Sequence, residues 1–454
     1  MARKRKTKVQ SIQPVINPHA AGADIGAREI YVAVPTVPTA LTAEPVRCFP
    51  TFTEDLRALV TWLQSFGIKT VAMEATSVYW IPLAELLEEA NIEVCLVNPR
   101  HVKNVPGRKT DVMDCQWLQY LHSVGLLRGA FRPAAEVRGV RALWRQRDAL
   151  VRHSSWHIQH VHKALDQMNL QVHHVLADIT GQTGAAIVEA ILQGERDPAV
   201  LAKHRDKRVK ATEATLVKAL TGDYRAEHLF CLRQAFAGYQ FLQKQIVELD
   251  TELERRLNEL APPAPAVPAN APLSKPKPAG KSAPAFDAHG LLARLHGVDL
   301  CAVPSIGVLT AQTLWSELGG DLSAFPTGKH FASWLGVCPD NRISGGTVLS
   351  ARTKPTTNRV ARALRMAAQA LHHAENELGD HYRRLRAKLG GAAAITAMAN
   401  KLARILYVLI TTRQPYRPEL HTATGELHRA RTLKRLAAKA KDLGFQLVPT
   451  PASA

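Results

Sequence analysis

The chain has 454 residues, which is too long for one ordinary hydrophobic core and predicts two to four domains. Its formal net charge is +19, and 46% of its residues are hydrophobic, which excludes a wholly disordered basic tail. The surplus of positive charge predicts a polyanionic partner, with nucleic acid favoured over an anionic membrane. Because no stretch of about 18 consecutive apolar residues occurs, no membrane-spanning helix is expected.

Residues 1–18 are predicted to be a basic tail. They are rich in Lys and Arg, and they lack the apolar core of a secretory signal. Six cysteines lie far apart and form no CxxC pair, so the pattern predicts neither a disulfide framework nor a zinc site. This cysteine usage is typical of a reducing compartment, and we expect a cytoplasmic protein.

Residues 19–133 alternate strand and helix signals and are predicted to form an α/β domain. An extended segment with a Gly-containing turn is followed by an amphipathic helix with Thr53 as its N-cap. Then come a buried strand (TVAMEA), a helix (VYWIPLAELLEEA) and a second buried strand (IEVCLVNP). Strands separated by helices imply a sheet that contains parallel strands.

Residues 134–260 are predicted to be helical, with a coiled-coil-like seam. Apolar residues recur at intervals of three and four from Val140 to Met168, and again from Tyr239 to Leu253. Each stretch predicts one long helix. The two helices could pair within one chain or between two chains, and the pattern favours neither.

Residues 261–286 are predicted to be a Pro/Ala-rich linker, because eight prolines disfavour both helices and sheet ladders. Such a linker reaches on the order of 70 Å and would leave its flanks as separate, mobile bodies. Residues 287–415 are predicted to form a mostly α-helical domain, and residues 416–454 a basic helical tail.

Four carboxylates stand at element ends in the α/β domain. Asp24 lies at the first strand, Glu74 closes TVAMEA, and Asp111 and Asp114 lie one turn apart at the start of a helix. At one sheet edge they could converge and bind Mg²⁺ or Mn²⁺, which prefer oxygen ligands and can assist phosphoryl transfer. Taken singly, each could instead be a turn residue or a helix-terminal charge.

The segment NRISGGTVLSARTKPTTNR is predicted to be a loop that places a serine among cations. Ser344 is followed by two glycines, which would let the backbone approach a ligand closely. A serine hydroxyl becomes a nucleophile only with help from a base, a metal or nearby cations, so an ordinary turn serine is the alternative. The candidate phosphate-binding cations, which could equally form a solvated face, are Arg342, Arg352, Lys354, Arg359 and Arg362.

Two further motifs are weaker. VPSIGVLTAQTL resembles a helix–hairpin–helix turn, in which backbone N–H groups meet a phosphate, although Ser305 stands where glycine is usual. An ordinary helix connection is the alternative. The histidine-rich helix could hold a metal, but no acidic or cysteine partner is evident, and a polar face that contacts nucleic acid is simpler. Its histidines are His153, His157, His160 and His162.

The strings DIGAREIYVAV and VNPRHVKNVPGRKTDVMD resemble the N-terminal domain of the DEDD transposases of the IS110 group of insertion sequences. The resemblance implies an RNase H-like (RuvC-like) fold in which Asp24, Glu74, Asp111 and Asp114 are the acidic residues. It places Lys109 beside a phosphate. The C-terminal block resembles the same family's transposase domain, and the family's nucleophilic serine maps onto Ser344. Ser350 competes for that role but is not followed by glycine.

The resemblance implies a recombinase that cuts and rejoins donor and target DNA through a covalent phosphoserine, with Mg²⁺ (or Mn²⁺) as cofactor. It also implies guidance by a bridge RNA and a homo-oligomer, a dimer that pairs into a tetramer. The serine and the carboxylates would then form one composite site. One alternative is a metal-only RuvC-like nuclease or junction resolvase in which Ser344 is structural, and another is a non-catalytic nucleic-acid-binding protein.

Overall fold

A computed structural model describes residues 14–35, 45–75, 77–99, 111–263, 273–275, 280–418, 430, 433–446 and 448. The chain divides into two compact units, Met1–Arg132 and Pro133–Ala454. This division falls within one residue of the end of the predicted α/β domain.

The first unit contains a five-stranded mixed sheet. Its elements in chain order are β1 (Ala20–Ile25), β2 (Glu29–Ala33), β3 (Val46–Pro50), α1 (Thr53–Ser65), β4 (Thr70–Glu74), α2 (Trp80–Glu89), β5 (Glu93–Val97) and α3 (Asp111–Ser123). The strand order is β3-β2-β1-β4-β5. β1 pairs antiparallel with β2 and parallel with β4, and β4 pairs parallel with β5. The predicted α/β class is therefore confirmed.

Helices cover both faces of this sheet. The first helix buries Leu56, Leu59, Val60 and Leu63, an i, i+3, i+4, i+7 stripe that packs on the strands with α2. The predicted N-cap was wrong: Thr53 is the first helical residue, and Phe52 occupies the N-cap position without a side-chain hydrogen bond. The helix α3 packs on the opposite face, at Gly22 of β1.

The second unit begins with two long helices that pair with each other within the chain. Its first elements are α4 (Ala135–Gln167), α5 (Val172–Val175), α6 (Gln182–Gln193), α7 (Pro198–Ala202), α8 (Glu213–Leu220) and α9 (Ala226–Leu260). The seam of α4 and α9 includes Leu150, Leu242 and Ile246, and Gln243 donates a hydrogen bond of 2.8 Å to Ser154. Both predicted helices are confirmed, and the short helices between them form a small bundle with its own core.

The rest of the second unit is helical apart from one hairpin. It contains α10 (Ala288–His296), α11 (Val308–Leu318), α12 (Gly328–Trp334), β6 (Arg342–Ser344), β7 (Thr347–Ser350), α13 (Arg359–Ala370), α14 (Glu377–Leu389) and α15 (Gly391–Thr412). Residues 433–442 are also helical. The helix α15 is long and apolar enough to cross a membrane by length and composition. It packs against α12, α13 and α14 and buries Met398, Leu402 and Leu406.

The described ends of the predicted linker are held by hydrogen bonds. A buried ion pair joins Arg147 of α4 to Asp250 of α9, and Arg147 also donates to the carbonyl oxygens of Ser282 and Ala283. Ser274 donates to the carboxylate of Asp299 through its amide and its hydroxyl. The expectation that the flanks are separate bodies therefore needs correction, because these polar contacts attach the linker to both of them.

Candidate active site

The sheet register brings Asp24 and Glu74 together. Ala23 of β1 is paired with Met73 of β4, so the next residues along these parallel strands are Asp24 and Glu74. Neighbouring strands lie about 4.8 Å apart, and residues at the same register point to the same face. Both carboxylates therefore lie side by side at the ends of adjacent strands.

The helix α3 begins above these two strand ends. A Cβ atom on Gly22 would lie only 2.2 Å from the backbone nitrogen of Gln119, so glycine is required where helix and strand approach. Gly22 and Asp24 share one face of β1, because side chains alternate along a strand. Asp111 and Asp114 occupy the first turn of the helix. The carboxylates of strand and helix thus lie on the same face of the sheet.

Electrostatic effects on Cys115 place two of these carboxylates near one thiol. Burial raises the pKa of the Cys115 thiol to about 12, and the charges of Asp24 and Asp114 add to this effect. The pKa of the Tyr31 phenol is also raised, mainly by Cys48 across the sheet and to a lesser extent by Glu29 and Asp111. The smaller contributions to these two shifts come from Asp24, Asp111 and Asp114, which places three of the four carboxylates near one another, and such a group suits a divalent cation. Cys115 itself was not singled out by the sequence.

Ser344 ends the first strand of an exposed hairpin. It pairs with Thr347, and the two residues between them, Gly345 and Gly346, have φ angles of 53° and 78°. Two consecutive left-handed residues are typical of a type I′ turn, which explains the glycine pair. A Cβ atom on either glycine would meet nothing within 4 Å of the protein, so within the chain the pair serves the turn angles. That the glycines let the backbone approach a ligand stays a prediction.

The two candidate serines differ in their hydrogen bonding. The hydroxyl of Ser350 accepts a long hydrogen bond, 3.4 Å, from the backbone nitrogen of Arg352. Among the described residues, no hydrogen-bond partner of the Ser344 side chain is found, and the residue is exposed. The hydroxyl of Ser344 therefore does not stabilise its own hairpin through a hydrogen bond.

Several of the predicted phosphate-binding cations already have carboxylate partners. Arg359 donates to Asp148 at 2.7 Å, and Arg362 donates to the same oxygen at 3.3 Å. Lys354 lies 3.6 Å from Asp340 in a highly exposed pair, which contributes little to stability. Arg342 begins the hairpin as the first residue of β6, Arg352 follows the end of β7, and Lys109 lies outside the described residues.

The backbone angles at Ser305 bear on the resemblance to a helix–hairpin–helix turn. Ser305 has a φ angle of +68°, which a glycine adopts without strain, and Gly307 is the N-cap of α11. The hydroxyl of Ser305 is buried and, within the part of the chain that the structure describes, has no hydrogen-bond partner. The backbone at this position therefore has the conformation that the usual glycine would provide.

Comparison with known proteins finds transposase domains in two segments of the chain. A family model for the DEDD domain of IS110 elements, described as "Transposase", matches residues 21–170. A second, described as "Transposase IS116/IS110/IS902 family", matches residues 299–383. A Pseudomonas aeruginosa protein named "Probable family 20 transposase" is 26% identical over 77% of this chain and 86% of its own length. The Coxiella burnetii "Transposase for insertion sequence element IS1111A" is 27% identical over 26% of this chain and 33% of its own.

The matched domains define a transposase, the class of enzyme that cleaves and rejoins DNA. Both matched domains are those of one family, and they occur together in this chain. The Pseudomonas aeruginosa relative also aligns along most of this chain and most of its own length. The chain belongs to the IS110 family of insertion-sequence transposases.

Proposed function

We propose that this transposase cuts and rejoins DNA through a covalent bond between DNA and Ser344. The observation that carries the proposal is the exposed hydroxyl of Ser344, which has no hydrogen-bond partner in the described part of the chain and adjoins Arg342. In contrast, the hydroxyl of Ser350 bonds to the backbone of its own hairpin. The match of residues 299–383 to a transposase domain supports this choice.

The proposed reaction is a pair of transesterifications. The Oγ atom of Ser344 attacks a DNA phosphorus and loses its proton, while the bond from phosphorus to one sugar oxygen breaks and that oxygen gains a proton. A DNA hydroxyl then attacks the phosphoserine, which restores the serine and joins the strands. The phosphoester bond is conserved throughout, so no nucleotide triphosphate is needed, in agreement with the lack of a GxxxxGK[ST] motif. Arg342, Arg352 and Lys354 would neutralise the phosphate.

Within this proposal, the first unit is an RNase H-like (RuvC-like) domain. The strand order β3-β2-β1-β4-β5 and the acidic residues at the ends of β1 and β4 support it. Asp24, Glu74, Asp111 and Asp114 offer only carboxylate oxygens, the ligands that Mg²⁺ or Mn²⁺ prefers. When bound, the metal supplies Lewis-acid stabilisation of charge on the scissile phosphate. Lys109, next to this motif, would contact the same phosphate.

The proposed partners are donor and target DNA and a guide RNA of the bridge-RNA type. The net charge of +19 supports a chain that must hold two polyanions. A guide would transfer sequence choice to base pairing and leave the protein to contact backbone and shape. We further propose that the chain works as a dimer that forms a tetramer at synapsis, in the cytoplasm at the nucleoid.

The experiment that tests the nucleophile compares Ser344→Ala with Ser350→Ala on labelled DNA that carries the ends of the element. We expect the wild type and Ser350→Ala to form a protein–DNA adduct that survives denaturing electrophoresis. Ser344→Ala should form neither adduct nor joined product. Retained cleavage by Ser344→Ala would overturn the proposal and favour a metal-only nuclease.

The guide RNA is tested separately, by purification of the protein from cells that carry the whole element. Sequencing of the bound RNA should recover one discrete transcript from the noncoding flank. Recovery of random cellular RNA alone would refute guidance and leave the serine chemistry untouched.

A further inference from the structure

Two histidines and an aspartate meet where the long helix α4 ends. Asp166 lies in the last turn of α4, and His173 and His174 lie in the short helix α5 that follows. The Nε2 atom of His173 is 3.2 Å from Oδ1 of Asp166, and that of His174 is 3.9 Å from the same oxygen. The three ligand atoms lie within 4.8 Å of one another.

A third imidazole adjoins the same group. The ring of His162, one turn before Asp166, stacks on the ring of His173 with centroids 4.8 Å apart, and the His173 and His174 rings are 4.1 Å apart. Three imidazoles and one carboxylate are therefore collected at this turn of the chain. A neutral imidazole offers one ring-nitrogen lone pair to a metal.

The burial of His173 is an independent observation. Its side chain retains only 7% of its accessible surface, and its Nδ1 atom has no hydrogen-bond partner within the described residues. Buried polar atoms of folded proteins are normally paired, so this imidazole lacks the full set of partners that a purely structural ring would have. Its Nε2 atom, which faces Asp166, is the atom that a metal cation would contact.

A second group of residues that could bind a metal has its carboxylate fully hydrogen-bonded. His289, Asp299 and Cys301 also lie close together, but Asp299 already accepts four hydrogen bonds. The donors are the amide and hydroxyl of Ser274, the ring of His289 and the amide of Cys301. This second group is satisfied as a structural network and gives no reason to propose a ligand.

We propose that Asp166, His173 and His174 bind one divalent transition-metal ion, with Zn²⁺ as the best fit. Zinc–nitrogen bonds of about 2.0–2.1 Å place tetrahedral ligand atoms about 3.3 Å apart. The His173–Asp166 pair, at 3.2 Å, already has this spacing, and His174, at 3.9 Å, would move closer to Asp166 when the ion binds. Imidazole and a single carboxylate select zinc over magnesium, which distinguishes this site from the four-carboxylate site. The fourth position is open to water or to His162.

The bound ion would tie the end of α4 to α5. Asp166 and His174 would then be linked through a short closed loop, which fixes the entry into the small helical bundle. The role is structural, so it is independent of the DNA chemistry proposed above.

The test uses the full-length protein, stripped with a chelator and titrated with Zn²⁺ in excess Mg²⁺, which keeps the carboxylate site occupied. We expect one zinc ion per chain, and a loss of affinity of more than about tenfold in Asp166→Asn and His174→Ala. His174 is 66% exposed on its side chain, so its truncation leaves the core intact. The matched controls, His153→Ala and His160→Ala, change exposed imidazoles on the same helix and should bind as the wild type does.

Zinc should also raise the unfolding temperature of the wild type and leave that of His174→Ala unchanged. Equal zinc affinity in the wild type, Asp166→Asn and His174→Ala would overturn the proposal, as would an absence of zinc binding by the wild type. Neither outcome bears on DNA cleavage, so a failure here is distinguishable from a failure of the proposed function.

Discussion

The buried pair of Arg147 and Asp250 supports a quantitative prediction about stability. Both side chains are 3% exposed, and two hydrogen bonds of 2.5 and 3.0 Å join them. Arg147 also holds the carbonyl oxygens of Ser282 and Ala283, while Asp250 accepts from the amide of Ala285. The replacement Arg147→Met keeps most of the apolar stem but removes every hydrogen bond that the guanidinium group donates.

The carboxylate of Asp250 would then remain buried with one donor in place of three, and breaking a buried pair in this way costs about 3–5 kcal/mol. In Arg147→Met/Asp250→Leu, both charges are gone, and the main loss is the hydrogen-bond partners of three backbone groups, those of Ser282, Ala283 and Ala285, each worth about 1 kcal/mol. Two of these three partners are lost in Arg147→Met as well. We therefore expect the double variant to be more stable than Arg147→Met by at least about 1 kcal/mol.

Urea unfolding followed by circular dichroism measures these differences. Arg152→Met is the control, because Arg152 is 57% exposed and lies 3.4 Å from Asp148 in a surface pair, so its loss should cost less than about 1 kcal/mol. If the double variant were less stable than Arg147→Met, the burial of an unpaired carboxylate would not be the cause of the loss, and the reasoning would be refuted.

Three further predictions concern other polar groups. Ser305→Gly should raise the free energy of unfolding by about 1 kcal/mol, because it relieves a left-handed φ angle and removes a buried hydroxyl without a partner. Burial lowers the pKa of His296 to about 4, so the unfolded chain takes up a proton first as the pH falls. Unfolding at pH 7 and pH 4 should show about 3 kcal/mol lost across this window in the wild type and much less in His296→Gln. Asp148→Asn should free Arg362 for phosphate and leave Arg359 with only Glu317 at 3.9 Å, so DNA binding should tighten at low salt and its salt dependence should steepen by about one ion.

Each of these has an outcome that would contradict it. Lower stability of Ser305→Gly would mean that the serine is not strained. An equal pH response of the wild type and His296→Gln would assign the acid sensitivity to other groups. An unchanged salt slope in Asp148→Asn would remove these two arginines from the DNA interface.

Local patterns predicted the elements of the first unit other than β3, because helix and strand periodicities are set by residues close in sequence. They predicted the first-turn position of Asp111 and Asp114 and the two long helices for the same reason. The Gly-Gly pair after Ser344 also carried a hairpin signal, but the segment was interpreted as a loop around a ligand. The turn chemistry was present in the sequence and was overlooked.

Other features depend on contacts that no local pattern reveals. Asp148 and Arg359 are 211 residues apart, and nothing near either one indicates the other. The attachment of the linker to Arg147 is similar, because prolines predict an extended backbone but say nothing about where its carbonyl groups bind. The register that places Asp24 beside Glu74 likewise follows from strand pairing and not from either strand alone.

The helix α4 has a mechanical consequence. Its 33 residues extend about 50 Å, and it carries the small bundle at its C-terminal end. Near the other end, Trp144 and Arg141 donate hydrogen bonds to Thr313 and Glu317 of α11. A tilt of about 10° at that base would swing the bundle by about 9 Å over such a length. The helix α4 can thus act as a lever arm. A small force on the bundle at its C-terminal end would produce a large torque at its contacts with α11.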